Sequence, residues 1–249
     1  MRRPSGDPSS PSTRMRRPRR GARVAMGRLR AAVTALESHR ARDRVMRAAG
    51  YVSELAGGVL AELGRPEASR RLLLLSAQLA QCRTVLRLLD GPAMLLYVRE
   101  YGLGPPDEDA PTRALQVLAN AADQLYYPSE HVAWAADAGL LGLEPAPWWA
   151  LSAALWLCSL LLGAARAAWT MLKLSRKLRA CRAEPAGTRE RAHAASVSRA
   201  LRAELLTLLS NMADAALALH AQPRGPWRLP PWLSGLLGTA SSLLGACQA

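Results

Sequence analysis

The longest uninterrupted apolar stretch of the chain lies in its second half and predicts a membrane-spanning helix. Residues 148–165 contain six leucines and no charged side chain. At 1.5 Å per residue this stretch is about 27 Å long, close to the thickness of the hydrocarbon core of a bilayer. Tryptophans flank it as interfacial aromatic residues do, and a basic cluster follows at Lys173–Arg182. The pattern predicts a transmembrane helix over residues 148–172 rather than the core helix of a soluble bundle.

A second uncharged segment occupies the C-terminal end of the sequence. The 21 residues from Leu229 onward carry no charge, and their leucines are interspersed with glycines and serines. Small residues of this kind allow helices to approach closely in lipid. The pattern predicts a second transmembrane or membrane-embedded helix over residues 229–247, with a helix lying on the membrane surface as the alternative. Between the two hydrophobic segments, residues 173–228 are predicted to form a basic loop and an amphipathic helix, Leu201–His220.

The first half of the chain is amphipathic with a helical period. One helix is predicted to end at Gly64-Arg65-Pro66, since glycine followed by proline is typical of a helix terminus. The next helix carries its leucines on one stripe that continues from Leu72 through Leu89 to Ala93, with arginines at its edge, which is typical of a helix that lies among lipid headgroups. A solvated basic face and a bundle core are the alternatives for this helix. The predicted membrane-surface residues are Arg70, Arg71, Leu72, Leu75, Leu79, Arg83, Leu86 and Arg87.

The remaining pattern completes the prediction of the fold class. Another helix is predicted from Thr112, after a loop with an acidic patch, and no alternating strand pattern of useful length is present. The sequence therefore predicts an all-α, helical integral membrane protein. Amphipathic N-terminal helices are expected over residues 26–147, and two hydrophobic segments follow them.

Charge sets the N-terminal end apart from the rest of the chain. Lys and Arg total 33 against 19 Asp and Glu, a formal net charge of +14, and residues 1–30 hold ten arginines and one aspartate. Residues 1–25 are predicted to be a disordered Arg/Pro-rich extension, with Met26 as a functional start. The other basic groups flank apolar runs rather than alternate with aromatic residues, which favours anionic membrane lipid over nucleic acid as the partner.

Motifs for catalysis or metal binding are absent from the sequence. It has no P-loop, no G-x-G-x-x-G, no G-x-S-x-G and no H-E-x-x-H. The four histidines are scattered, and the four cysteines are far apart without a C-x-x-C pair. The sequence thus predicts no catalytic, cofactor-binding or metal site, and a protein that is not an enzyme.

Several long strings of the sequence resemble one family. The segment ADQLYYPSEHVAWAADA, residues 122–138, is similar to the hallmark segment of the peroxin-11 proteins of the peroxisomal membrane, in particular the gamma type. The segments ALESHRARDRVMR (35–47) and CRTVLRLLDGPAMLLYVREYGLG (82–104) resemble its opening helix and central amphipathic region. LLSNMADAALALH (208–220) and PPWLSGLLGTASSLL (230–244) resemble its C-terminal portion. The resemblance covers roughly residues 26–247 in order, whereas residues 1–25 match nothing in the family.

The resemblance implies a role in peroxisome proliferation, with membrane elongation and protrusion ahead of fission. It implies a multi-pass peroxisomal membrane protein with both termini in the cytosol. It also implies homo-oligomers, hetero-oligomers with alpha and beta relatives, and links to the fission adaptors and a dynamin-like GTPase. By position, residues 70–89 correspond to the basic amphipathic helix through which the family is proposed to remodel membranes.

Two predictions have an alternative at the level of sequence. The nine basic groups of residues 173–204 favour a cytosolic loop by the positive-inside rule, whereas the resemblance implies that the 26–147 region and both termini face the cytosol. The prediction follows the resemblance, because insertion into the peroxisomal membrane need not obey a rule built mainly on other membranes. The alternative function is a channel or metabolite-transfer protein of the same membrane. A channel should present ionisable groups inside its spans, and Arg166 is the one such group in the two predicted segments, which favours membrane shaping.

Overall fold

The computed structural model describes residues 39–183, 188–222, 225 and 227–247, and within these residues it has seven helices and no strand. The described residues from Asp43 onward form one compact unit. The predicted all-α class is confirmed, whereas the predicted extension at residues 1–25 and the start at Met26 lie outside the described residues. In chain order the helices are α1 (His39–Glu62), α2 (Pro66–Arg87), α3 (Asp90–Tyr101), α4 (Ala110–Asp137), α5 (Pro145–Ala183), α6 (Thr188–His220) and α7 (Pro231–Cys247).

The end of α1 follows the predicted glycine–proline signal. Gly64 adopts a positive φ of 68°, a conformation that glycine accepts without the steric cost of a side chain. The Arg65 amide donates to the Leu60 carbonyl at 2.9 Å, which closes the last turn of α1. Pro66 then opens α2, because its missing N–H would have no partner in the first turn of a helix.

The amphipathic region after Pro66 forms two helices rather than one. The leucine stripe was predicted to continue through Leu89 to Ala93, but α2 ends at Arg87 and α3 begins at Asp90 with a bend of 54° between them. Pro92 gives the physical reason: it cannot donate to a carbonyl in the preceding turn, and it fits only in the first turn of a new helix. The two halves of the predicted stripe therefore follow different axes.

The basic region after the apolar run is helical as well. Residues 173–183 were predicted to begin a loop, but they extend α5 to Ala183, and α6 begins at Thr188 instead of Leu201. Arginine, lysine and alanine are good helix formers, so a charged continuation does not end a helix by itself. With 39 residues, α5 is about 58 Å long, so it is roughly twice as long as the hydrocarbon core is thick.

Helix α5 is the centre of the fold. Helices α4 and α6 pack along it, α7 packs on α6, and α3 packs on α4. The buried apolar residues at these contacts are mostly alanines, in the sets Ala119, Ala122, Ala133, Ala136 on α4, Ala153, Ala164, Ala167 on α5, and Val197, Ala215, Leu217, Ala218 on α6. Small side chains allow the helix axes to approach closely, which is typical of helix packing in membranes.

Candidate membrane-binding site

The outward face of α5 is apolar and follows one helical stripe. Leu151, Leu161, Trp169 and Leu172 are exposed on it, and only 17% of its most apolar window is buried inside the protein. Water-soluble proteins bury leucines and leave alanines at the surface more freely, so this distribution favours a lipid environment around α5. Among the described residues, α5 is the single unbroken helix that is long and apolar enough to cross a membrane.

The C-terminal helix is divided into a small-residue face and a leucine face. Ser234, Gly235, Gly238 and Ser241 are buried, whereas Leu236 and Leu243 are exposed and the other leucines of α7 are half-buried. With 17 residues α7 is about 25 Å long, somewhat less than the hydrocarbon thickness. A second complete span over residues 229–247 therefore stays a prediction, while a helix embedded with its leucines toward lipid fits the observed exposure.

The small-residue face of α7 crosses α1 with backbone contact. A Cβ added to Gly235 would lie 2.2 Å from the Leu55 amide nitrogen, and one added to Gly238 would lie 2.1 Å from the Tyr51 ring. Beside this crossing the Ser234 hydroxyl donates to the Glu54 carboxylate. The crossing fixes the last helix of the chain on the first described one, since neither backbone can move away without breaking the contact.

Three ion pairs join α1 and α2 to the rest of the bundle. The Arg47 guanidinium donates to Asp214 of α6 at 2.5 Å and to the Ser241 hydroxyl of α7 at 2.9 Å. On α2, Arg83 donates from Nε to Asp43 of α1 at 2.8 Å. These charge-assisted bonds connect helices that are distant in sequence, and they fix the rotation of α1 and α2 about their own axes.

The third pair is the most deeply buried. Arg87 donates from Nε and Nη2 to the two oxygens of Glu130 at 3.1 and 2.5 Å, and the Tyr126 hydroxyl donates to the same carboxylate at 2.7 Å. The Glu130 side chain is only 3% exposed. Burial raises the pKa of the Tyr126 hydroxyl, so Tyr126 stays a neutral donor. Burial alone would lower the pKa of Arg87, but the hydrogen bonds to Glu130 raise it above its usual value.

The predicted membrane-surface residues are therefore divided between two faces of α2. Arg70 and Arg71 have side chains that are 78% and 80% exposed, and their contacts with Glu67 are long, at 3.7 and 3.9 Å. Leu75 is exposed as well, whereas Leu72, Leu79 and Leu86 are half-buried. The ion pairs direct Arg83 and Arg87 toward α1 and α4, so these two guanidinium groups are engaged inside the protein. Binding of the whole set to a membrane surface stays a prediction.

The large apolar residues exposed on α2 and α3 were predicted only in part, since the predicted membrane-surface set includes Leu75 alone among them. We call them the arm face; they run along α2, the Leu88-Leu89 connection and α3, and they are Leu74, Leu75, Val85, Leu89, Leu95, Leu96 and Tyr97. Helix α2 has leucines at four successive positions, so its apolar character goes around most of the helix and one stripe does not capture it. Helices α2 and α3 are long and apolar enough to cross a membrane only if the bent pair is counted as one segment.

The junction of α4 with the polar half of α5 is closed by Asp109. Its carboxylate accepts hydrogen bonds from Trp169 at 2.7 Å, from Thr112 at 2.7 Å and from the Lys173 ammonium. These bonds, that of Lys173 first, lower the pKa of the Asp109 carboxyl below its usual range. Trp169 is thus held by a carboxylate, which places the aromatic end of the apolar face at a fixed depth beside α4.

A metal site is not found in the part of the chain that the structure describes, since no three His, Cys, Asp or Glu side chains come together there. The four cysteines are free thiols.

Comparison with known proteins assigns the chain to a family. The profile of the family "Peroxisomal biogenesis factor 11" matches residues 29–249. Peroxisomal membrane protein 11C of Mus musculus is 54% identical over 233 residues, covering 90% of this chain and 95% of that protein. Peroxisomal membrane protein 11C of Homo sapiens is 50% identical over 229 residues, with the same coverage. No solved structure matches the chain significantly. With an alanine-cored helical bundle, an apolar face on α5 and similarity along nearly its whole length, the chain belongs to the Peroxisomal biogenesis factor 11 family of peroxisomal membrane proteins.

Proposed function

We propose that the chain shapes the peroxisomal membrane, promoting the protrusion and elongation that precede fission, and that it does so without catalysis. The arm face would insert among the lipid headgroups of one leaflet and expand it, since apolar side chains wedged at that depth occupy area in one leaflet only. The exposed Arg70 and Arg71 would attract anionic lipid to the same surface.

The observation that carries this proposal is the exposure of the arm face. Leu74 is 61% exposed and Leu95 is 56% exposed, and they lie on different helices of the bent pair. A bent pair of short helices covers a broader area of membrane surface than a straight helix of the same length. Burying several exposed leucines in lipid contributes about 1.5–3 kcal/mol for each fully buried side chain, which is enough to hold the arm at the surface.

The proposed topology assigns the anchoring role to α5. Helix α5 would cross the bilayer and α7 would cross it back with its exposed leucines toward lipid, so that both termini would lie in the cytosol. The crossing of α7 on α1 supports a shared location of the two ends, because it holds the two helices in direct contact. Protease protection on isolated organelles, with tags at both ends, tests this arrangement.

The proposal includes partners that follow from the family. Homo-oligomers and hetero-oligomers with alpha and beta relatives would concentrate the arm faces on one patch of membrane. Fission adaptors and a dynamin-like GTPase would then act on the elongated membrane. Co-purification of the full-length chain with each class of partner from peroxisomal membranes is the corresponding measurement.

The test of the shaping function is a pair of substitutions on the arm face. The full-length double variant Leu74→Gln/Leu95→Gln should lose most of its ability to tubulate vesicles that contain anionic lipid, and cells that express it should retain peroxisomal targeting without elongated peroxisomes. The matched control is Leu140→Gln, which changes a similarly exposed leucine outside the arm. Elongation by the double variant at the level of the unchanged protein would refute the proposal.

A channel or metabolite-transfer role is the second candidate. It is favoured by buried oxygen atoms that have no hydrogen-bond partner among the described residues, such as Thr170 Oγ1 on α5 and Glu204 Oε2 on α6. These two helices pack together, so both atoms lie within one part of the bundle. Polar groups of this kind line aqueous paths in membrane bundles. Solute efflux from vesicles that contain the full-length protein, compared with a Glu204→Leu variant, separates this function from membrane shaping.

A further inference from the structure

A cavity of about 390 Å³ lies between α1, α2, α4 and α5, and three arginines line it. Arg47 comes from α1, and Arg83 and Arg87 come from α2. Each forms an ion pair with a different carboxylate: those of Asp214, Asp43 and Glu130, respectively. Three guanidinium groups at one cavity are unusual inside a helical bundle, because each of them costs free energy to remove from water. The ion pairs explain how the charges are tolerated, but they do not use all of the hydrogen-bond donors.

The cavity has more donors than acceptors. The hydrogen bonds from Arg83 to Asp43 and from Arg87 to Glu130 use Nε and Nη2, so Nη1 of both groups takes no part in these ion pairs. Arg47 Nε is buried and has no hydrogen-bond partner among the described residues. A guanidinium group has donors only, so each unused N–H requires an acceptor.

Tyrosine hydroxyls add to this surplus of donors. Tyr51 and Tyr127 also line the cavity, and each carries a hydroxyl that can donate a hydrogen bond. Burial raises the pKa of both hydroxyls, which keeps them protonated. Asp123 is the acid that lines this cavity; burial raises the pKa of its carboxyl, which weakens its competition with an incoming anion. The cavity wall itself thus presents three guanidinium groups and tyrosine hydroxyls against one acid, while the paired carboxylates are not among its lining residues, so a ligand with acceptors and negative charge is complementary to it.

A second cavity adjoins the first and is mainly apolar. It has a volume of about 480 Å³, and it shares Arg87, Tyr126 and Trp156 with the arginine-lined cavity. Trp149, Ala146 and Ala153 line it at the N-terminal end of α5, where the apolar face begins. Its acidic groups are Asp137 and Glu130, which is paired with Arg87, so an anionic head is favoured only at the arginine end. The polar, arginine-lined cavity thus continues directly into the apolar cavity at the start of α5.

We propose that the two cavities bind one anionic amphiphile, with an acidic phosphate or carboxylate head at Arg47, Arg83 and Arg87 and its hydrocarbon part along Trp149 and Trp156. Neither cavity lies on the arm face, so this site is separate from the surface assigned to membrane shaping. The order of the two parts matches an amphiphile that enters from the bilayer beside α5. A bound ligand would join α1, α2, α4 and α5 through one molecule.

The test measures binding to the full-length protein in neutral detergent by native mass spectrometry. The probes are oleate, dioleoyl phosphatidate, the neutral monoolein and inorganic phosphate, each titrated separately. We expect one oleate or one phosphatidate per chain, and the tighter of the two identifies a fatty acid or a phospholipid as the source of the acidic head. Monoolein should bind at least tenfold more weakly, and inorganic phosphate should not reproduce the rise in melting temperature that the amphiphile causes.

Two independent variants assign the binding to the cavities. Tyr51→Phe/Tyr127→Phe removes the two hydroxyls and keeps both rings, and Ala146→Leu fills part of the apolar cavity. Each should raise the dissociation constant at least tenfold, whereas Arg70→Gln, which removes an exposed positive charge from the same α2, should leave it unchanged.

Three results would overturn the proposal. One is unchanged binding in both cavity variants, which would place the amphiphile on the outer surface. The second is equal binding of monoolein, which would show that the head charge is not recognised. The third is full stabilisation by inorganic phosphate alone, which would show that the apolar cavity takes no part. Melting curves of the variants without ligand provide the control for folding.

Discussion

The α4–α5–α6 bundle and the α2–α3 arm both expose leucines, but they differ in what lies beneath them. In the bundle, buried alanines bring the helices together, and the leucines are left on the outside. In the arm, α2 rests on glycines of α1 and is fixed by the ion pairs of Arg83 and Arg87. An exposed leucine thus has a different origin in each region: close helix packing in the bundle, and charge pairing on the opposite side of the helix in the arm.

The leucines of the two regions are thus arranged by different rules. A helix surrounded by hydrocarbon gains nothing from burying leucine inside the protein, so small residues take the interior. On the proposal made above, the arm lies at the membrane surface, and the rotation of α2 must then be fixed for its exposed leucines to face the lipid. The buried charges of α2 fix that rotation, which is a role that no apolar contact could perform with the same geometric specificity.

The largest expected effect comes from breaking the apolar face of α5. Leu151→Arg with Leu161→Arg places two charges on the outward face without touching the alanine interior. Each arginine should cost roughly 3 kcal/mol on an insertion scale, so we expect the variant to be extracted from peroxisomal membranes by alkaline carbonate. Leu103→Arg, in the exposed loop after α3, is the control and should remain membrane-bound. Retention of the double variant would show that α7 or the arm is sufficient as an anchor.

The next effect distinguishes the two sides of α2. Arg87→Met leaves the buried Glu130 carboxylate without its cation and should lower the free energy of unfolding by about 3 kcal/mol. Arg71→Met, on the exposed side of the same helix, should change it by less than about 1 kcal/mol. Denaturant titration of the purified proteins in detergent micelles measures both. Equal losses in the two variants would contradict the assignment of separate inner and outer faces.

A smaller effect is expected at the crossing of α1 and α7. Gly235→Val places a branched side chain against the Leu55 backbone and should lower the free energy of unfolding by about 1–3 kcal/mol. Gly245→Val is the matched control, since a Cβ at Gly245 meets nothing within 4 Å. Protease sensitivity of α7 should increase only in the first variant. An unaltered protease pattern there would mean that α7 is held by α6 alone.

The smallest effect concerns the pH dependence at Asp109. Its pKa is depressed in the folded protein, so the stability that it contributes is present above its unfolded pKa of about 4 and is lost as the pH falls below that value. The melting temperature of the unchanged protein should therefore exceed that of Asp109→Asn by a constant amount between about pH 6 and 8. This difference in melting temperature should shrink below about pH 4. Asp107→Asn, at a neighbouring position, serves as the control. If the difference in melting temperature between the unchanged protein and Asp109→Asn did not depend on pH, the Asp109 carboxylate would not stabilise the junction.

The sequence by itself determined the helices, the apolar run and the family. The 3.6-residue period and the glycine–proline signal at residues 64–66 are local properties, so they fix where helices form before any tertiary contact exists. The uncharged run at residues 148–165 likewise identified α5, because its length is set by the bilayer and not by packing. The bend at Pro92 was also encoded locally, although the continuous leucine spacing concealed it.

Tertiary structure alone decided which side of each helix faces the protein. Arg83 and Arg87 lie within a sequence pattern that fits a headgroup-binding edge equally well, and only the positions of Asp43 and Glu130 in space direct them inward. The pair formed by Arg47 and Asp214 spans 167 positions of the chain. Periodicity carries no information about such pairs, because it describes a helix relative to its own axis, whereas the rotation of that axis is fixed by charges and backbone contacts from helices far away in sequence.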